Sequence, residues 1–266
     1  MRSPGPAFDL RGALAQELNA ALQEMDGPAA PVRAVHRCRV RLKRARALGR
    51  VGKAAAPGLA VVFNDTARAV MRQLGRARDL SALADTARML AETADERGAA
   101  ALLRVAEALE AAREAPPAID LDSVRAGIRD LLALAQVWPE PSPRQVRAGA
   151  MRIVKRARRA RRRGQGAQTA KVRHEWRKRE KDRLYAAVLL DKAWPAPRRR
   201  KQSETIGQLL GMERDALLLM ERLEAAPALA GDSAAAAHAQ RLLRKHNARV
   251  RRRADKIGER LHARGV

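Results

Sequence analysis

Between residues 31 and 51, the apolar positions Val32, Val35, Leu42 and Leu48 are set among His36, Arg39, Lys43 and Arg46, which fall at offsets 0, 3, 7 and 10. At 100° per residue those four polar side chains lie within about 80° of arc. The stretch therefore predicts an amphipathic helix with a cationic stripe along one face. The same construction recurs at Arg152, Arg156, Arg159 and Arg163, offsets 0, 4, 7 and 11, beside Met151, Ile153 and Val154, which can face a core. Composition alone would allow "VKRARRARRRG" to be a disordered tail. A tail has no reason to keep its charges in helical phase.

Alanine, leucine and arginine dominate elsewhere, and runs of β-branched residues are nearly absent, so local preference points to helix along almost the whole chain. The expected fold class is all-α. Breakers divide it at "GPAAP" (27–31), "AAPG" (55–58), "APP" (115–117), "WPEPSP" (138–143), "RGQG" (163–166), "WPAP" (194–197) and "APALAGDS" (226–233), leaving helices of about 15 to 35 residues. "WPEPSP" is the densest of these, and the charge changes across it: the preceding stretch from 91 to 135 is net acidic and the following one almost purely basic. The expected units are residues 1–137 and 142–266.

Charge then narrows the function. The 266 residues carry 55 Lys and Arg against 29 Asp and Glu, a formal net charge of +26. Self-repulsion of that size is best tolerated when a polyanion neutralises it. The one cysteine, Cys38, can form no internal disulfide, the N-terminus lacks the apolar core of a signal peptide, and the longest apolar stretches ("GLAVVF", "AAVLL") fall far short of the roughly 20 residues that span a bilayer. The expectation is an intracellular protein without a membrane segment.

An internal repeat carries the most information. "VHRCRVRLKRAR" at 35–46 matches "RHEWRKREKDRL" at 173–184, pairing His36 with His174, Arg39 with Arg177, Arg41 with Arg179 and Lys43 with Lys181, so that both copies read HxxRxRxK. Downstream, "QLGRARDLSAL" at 73–83 matches "LLGMERDALLL" at 209–219, both giving LGxxRD, with Gly75, Arg78 and Asp79 against Gly211, Arg214 and Asp215. The His-to-Gly spacing is 39 residues in one copy and 37 in the other. Two motifs in one order at nearly one separation imply a duplicated helical bundle, each half needing about four helices to bury its apolar faces.

In these two HxxRxRxK and two LGxxRD segments the chain resembles the CHAD domain, the conserved histidine α-helical domain, over about residues 8 to 264. The resemblance implies two four-helix bundles related by a pseudo-twofold axis, basic helices lining a central cavity, binding of inorganic polyphosphate and association with polyphosphate granules. Carried over by position, it implies contacts from His36, Arg39, Lys43, Arg44 and Arg46 in the first half, and from His174, Arg177, Lys178 and Lys181 in the second. Arg78, Arg214 and the stripe Arg152, Arg156, Arg159 and Arg163 complete the expected set. One departure stands out: "DRLY" places Leu184 where the family pattern expects an anion-facing arginine, and Arg183 points about 180° from His174.

The residues point to the same ligand class independently. A phosphate polymer has no bases to read, and guanidinium forks grip phosphate oxygens in pairs, which suits a chain so rich in arginine. Binders of single-stranded nucleic acid add aromatic platforms. This chain has one Tyr, two Phe and three Trp, of which Trp138 and Trp194 precede prolines and read as packing. Nonspecific nucleic-acid binding stays open as the alternative. No GxxxxGK[ST] loop and no ExExK strand is present, so a catalytic role is not expected, nor is a metal or other cofactor, because neither histidine has a cluster of His, Cys or carboxylates near it in sequence. His36 and His174 either contact the anion or hold ring hydrogen bonds within the bundle. Asp79 and Asp215 read as partners that orient an arginine, and the basic runs at 198–201 and 249–253 as solvated faces.

Overall fold

Short polar side chains set where several of the helices begin. Asp9 accepts from Gly12 N (2.7 Å), Asp95 from Gly98 N (2.7 Å), Asp120 from Ser123 N (3.0 Å) and Asp232 from Ala235 N (2.7 Å), each occupying a donor that the first helical turn leaves over. Ser142 closes a capping box with Gln145, with Pro143 in the first turn, so the last residues of "WPEPSP" start the helix that follows. The computed structural model describes residues 8–27, 32–74, 79–112, 119–167 and 169–263. These form ten α-helices, two single-turn 3-10 segments and, among the described residues, no strand. The helices are α1 (Leu10–Gln23), α2 (Val32–Gly52), α3 (Pro57–Gln73), α4 (Asp79–Ala91), α5 (Glu96–Ala111), α6 (Leu121–Gln136), α7 (Pro143–Gly164), α8 (Ala170–Leu190), α9 (Arg200–Ala225) and α10 (Ser233–His262).

The all-α expectation holds, but the packing does not divide cleanly at 138–143. One core joins α1, α2, α3 and α6 through Leu14, Leu18, Leu42, Phe63, Val70 and Ile128. Trp138 seals it, meeting Phe63 edge-on with ring centroids 5.5 Å apart and donating from Nε1 to the Gly52 carbonyl (3.3 Å). Helices α4 and α5 take no part in that core. Their Leu83, Leu90, Leu102 and Val105 pack instead on Leu219 and Leu223 of α9 and Leu243 of α10. The reason is geometric: a helix hairpin cannot bury both of its apolar faces alone, and the ends of α9 and α10 offer the complementary surface. The units 1–137 and 142–266 are therefore consecutive in sequence but interlocked in space.

A third cluster positions the functional region. Ala47 and Val51 at the end of α2 pack on Val146, Ala150, Ile153 and Val154 of α7 and on Ala186, Ala187 and Leu190 of α8. Gly149 lets α2 and α7 cross closely, since a Cβ there would lie 2.1 Å from the Val51 carbonyl oxygen. Trp176, buried in a fourth cluster with Ile206, Leu210 and Val250, anchors the opposite side of α8.

A buried ionic network ties α8 to α9 and α10. Arg173 is 3 % exposed and grips Glu213 with Nε (2.9 Å) and Nη2 (2.7 Å), while Nη1 donates to Asp255 (2.5 Å) and to the Gly164 carbonyl (2.9 Å). Burial opposes the charge on Arg173, but its hydrogen bonds to Glu213 and Asp255 prevail and hold its pKa above the ordinary arginine value. The matching positions in the first repeat are Val35 and Ala77, so this network belongs to the second copy alone.

Gly149→Ala should destabilise the protein by about 2 kcal/mol or more in a denaturant titration, because the added methyl meets backbone that cannot move aside. Gly58→Ala, with nothing within 4 Å of the new methyl, should be neutral or slightly stabilising. Equal effects at the two positions would show that α2 and α7 are not held at the close approach described.

A cationic cleft between the two motif helices

The cleft forms where α2 packs against α8, because both helices turn their HxxRxRxK faces toward the same seam. It encloses about 560 Å³. Helix α2 lines it with Arg39, Lys43, Arg46 and Arg50, and α3 adds Arg68. From α8 come His174, Arg177, Lys178, Arg179 and Lys181, together with Glu175, Asp182 and Tyr185, and α9 contributes Arg214. Ten Lys and Arg side chains thus face two carboxylates, for a formal excess of +8.

The carboxylates order the cations. Asp182 accepts from Arg50 Nη1 (2.9 Å) and from Arg179 Nη1 (3.1 Å), which bridges α2 to α8, and Glu175 pairs with Arg179 and Lys178. Arg39 serves two purposes, since Nη1 donates to the carbonyls of Met71 (2.9 Å) and Leu74 (3.1 Å) at the end of α3 while the side chain lines the cleft. Arg46 leans on Asn64 Oδ1 (3.4 Å). Behind Arg177, Gly211 leaves room for the guanidinium, whose Nη2 would lie 3.3 Å from a Cβ at that position. The glycine of the second motif thus accommodates the arginine of the first.

Crowding shows in the titration of these groups. Burial, reinforced by Arg50, pushes Arg46 down to about 10, and Asp182 counters only part of this. Arg50 is lowered too, by burial first, with Asp182 opposing. His174 is pushed down to about 4 by burial and then by Lys178, Arg214 and Arg177, so it is neutral at pH 7, and its Nδ1 is buried without a hydrogen-bond partner. On the flank of α2, the buried Cys38 thiol is pushed up to about 12, chiefly by burial, and offers no thiolate near neutral pH.

Of the residues expected from sequence, Arg39, Lys43, Arg46, His174, Arg177, Lys178, Lys181 and Arg214 line the cleft. Arg44 does not: one residue beyond Lys43 it has turned about 100° toward α1, where its Nη2 pairs with the buried Glu17 (2.7 Å). His36 is half-buried on α2 and lies outside the lining. The α7 stripe is also displaced, because Ile153, Val154 and Ala157 are buried against the neighbouring helices and leave the charged positions on the flanks. Arg156 comes close enough for Arg179 to lower its pKa, after burial, but Arg152 and Arg163 are exposed away from the cleft, and Arg159 lines a separate depression with Arg158 and Arg162. Arg78 lies outside the described residues. Arg183 serves the connection after α8, donating to Ser203 Oγ and to the carbonyls of Pro197 (3.0 Å) and Arg198 (3.3 Å).

Arg50, Arg68, Arg179, Glu175, Asp182 and Tyr185 were not anticipated. Arg50 could have been, since it continues the α2 stripe at offset 14 from His36. Arg179 appears in the repeat alignment, yet its counterpart Arg41 turns to Glu17, so the alignment alone could not assign it. Arg68 and Tyr185 come into place only through the packing of α3 and α8.

Fold and cleft together define an all-α protein built around a basic seam between two helices. Residues 12–224 match the sequence model of the CHAD domain, and the chain belongs to that family. Among solved structures it is similar to the crystal structure of the CHAD domain from the plant Ricinus communis, at 20 % identity over 100 % of this chain and 97 % of that one, with a TM-score of 0.63. That similarity speaks for the fold. Comparison with curated proteins gave no match.

The pKa of His174 carries a pH signature. Its folded value of about 4 lies below the ordinary histidine value of 6.5, so below pH 6.5 the unfolded chain gains a proton that the folded one refuses. The contribution of His174 is intact above 6.5 and is lost as pH falls toward 4. His174→Gln should therefore lose less stability than the parent over that window in thermal melts. Parallel curves for the two proteins would contradict the assignment.

Proposed function

We propose that the α2–α8 cleft binds inorganic polyphosphate, and that the protein acts by holding the polymer and being carried to deposits of it, not by turning it over. The observation that carries this reading is the ten-to-two excess of cations in one cleft shared by both repeats. A polymer with roughly one charge per phosphate neutralises such a row stepwise and releases counterions as it does so. Seven of the cations, Arg39, Arg46, Arg50, Arg68, Arg177, Arg179 and Arg214, are guanidinium forks suited to paired phosphate oxygens.

Two features support a plain phosphate polymer over nucleic acid and over catalysis. Tyr185 is the aromatic side chain in the lining, and it is half-buried, so the cleft lacks a platform on which successive bases could stack. Glu175 and Asp182 are both engaged with cleft cations, which suits them to fixing guanidinium positions. Among the described residues no three His, Cys, Asp or Glu side chains converge as metal ligands, and no helix is long and apolar enough to cross a membrane.

Charge removal at Lys43 and Lys181 tests the reading and leaves in place Arg39, which also caps α3. Lys43→Gln with Lys181→Gln should weaken polyphosphate binding by about tenfold or more at physiological salt and lower the slope of log affinity against log salt by about one to two. Arg200→Gln, on an exposed turn of α9, should change affinity less than about twofold. Displacement of labelled polyphosphate by an equal phosphate concentration of RNA or duplex DNA would reject the proposal in favour of a general nucleic-acid binder.

A further inference from the structure

A second basic depression lies between α7 and the end of α10, lined by Lys155, Arg158, Arg159, Arg161, Arg162 and His262, with a volume of about 410 Å³. Neither α7 nor α10 contributes a residue to the α2–α8 cleft. The two surfaces also differ in how their charge is handled. In the cleft, Glu175 and Asp182 offset part of the charge. In the depression, the five Lys and Arg side chains have no carboxylate within ion-pair distance among the described residues. The carboxylate behind the depression, Glu180, is fully buried and turned inward, where it accepts from Trp176 Nε1 (2.8 Å) and pairs with His262 Nε2 (2.5 Å).

A row of arginines near a helix C-terminus can simply complement the macrodipole. That accounts for Arg161 and Arg162, which lie in the last turn of α7. It does not account for Lys155, Arg158 and Arg159, which lie one to two turns earlier, beyond the reach of the terminal carbonyls. Nor does a solvated face explain Arg158 and Arg161, because the Nε of each is buried and lacks a hydrogen-bond partner. Arg161 is positioned by Gln165, whose Oε1 accepts from Nη1 (2.6 Å). Lys155, Arg158, Arg159 and Arg162 follow one another at i, i+3, i+4 and i+7 along about 10 Å of α7.

We propose that this depression is a second phosphate-chain site, so that one molecule holds two separate segments of polyphosphate, one in the cleft and one against α7 and α10. The assignment rests on the ligand proposed for the cleft. A linear row of cations whose charge no neighbouring carboxylate offsets suits a string of phosphates better than a single small anion, and no aromatic side chain lines the depression to stack a base. Two sites on different helices make the protein a bridge between polymer strands.

Calorimetric titration of the full chain with tripolyphosphate, too short to be shared widely over the surface, counts the sites. Two equivalents are expected. Arg159→Glu with Arg162→Glu, both exposed positions, should lose one equivalent and leave the affinity of the other within about twofold. Lys43→Gln with Lys181→Gln should lose the other. Arg252→Glu with Arg253→Glu, an equal charge change on an exposed part of α10, should keep both. A single equivalent that disappears only with Lys43 and Lys181 would overturn the second site and leave the cleft reading intact. Two equivalents, of which the α7 pair removes one while the Lys43 and Lys181 changes remove none, would support the second site and count against the cleft. Equal losses from the α7 pair and the α10 control would overturn the second site as mere bulk charge, as would an α7 pair that weakens duplex DNA binding while leaving both tripolyphosphate equivalents in place.

Discussion

Two helices that each present a row of cations are packed against one another, and the rest of the molecule is arranged to hold them there. Like charges about 7 Å apart at an effective dielectric near 20 repel by about 2 kcal/mol, and the cleft gathers ten cations against two carboxylates. Asp182 offsets part of this by joining Arg50 of α2 to Arg179 of α8. The remainder is opposed by apolar contact behind the charges, where the end of α2 is wedged between α7 and α8 through Ala47, Val51, Ile153 and Ala187. The close crossing at Gly149 and the burial of Trp176 fix the helices from which the cations project. The cleft is incompletely neutralised in charge, and the residual repulsion is what a polyanion would relieve.

The two repeats share the outline of the site and differ in its support. In the first, Arg39 reaches across to cap α3, and Arg44 and Arg41 converge on the buried Glu17 of α1. In the second, the position matching Arg44 is Asp182, and the position matching Arg46 is Leu184. Each copy supplies five of the cleft cations, and the second also supplies the two carboxylates that organise them. His174 sits among these cations as a neutral ring whose proton affinity is suppressed by burial and by Lys178, Arg214 and Arg177. An anion entering the cleft would oppose the part of that suppression that comes from Lys178, Arg214 and Arg177, because it adds the negative charge that favours the protonated ring.

Much of this was legible in the sequence because helix periodicity and the repeat constrain local geometry strongly. The stripe on α2, the matching helix α8 and the all-α fold follow from spacing and residue type. What the sequence does not carry is which side of a helix meets which neighbour. Arg44, a contact implied by the family resemblance, is claimed instead by Glu17 of α1. The α7 stripe is in phase with itself, yet its apolar flank is pressed inward, so that Arg159 serves a different surface from Arg156. Likewise, the breaker at 138–143 is real as a helix boundary but not as a divide in the core, because α4 and α5 find their partners on α9 and α10.

A thermal melt with and without long-chain polyphosphate tests the central claim most directly. If the cationic seam is held against its own repulsion and the polymer binds the folded seam, the midpoint must rise as polymer is added and must rise further at low salt, whereas sodium chloride at matched ionic strength should not reproduce the shift. A midpoint that stays fixed, or falls, on addition of polyphosphate would contradict the account.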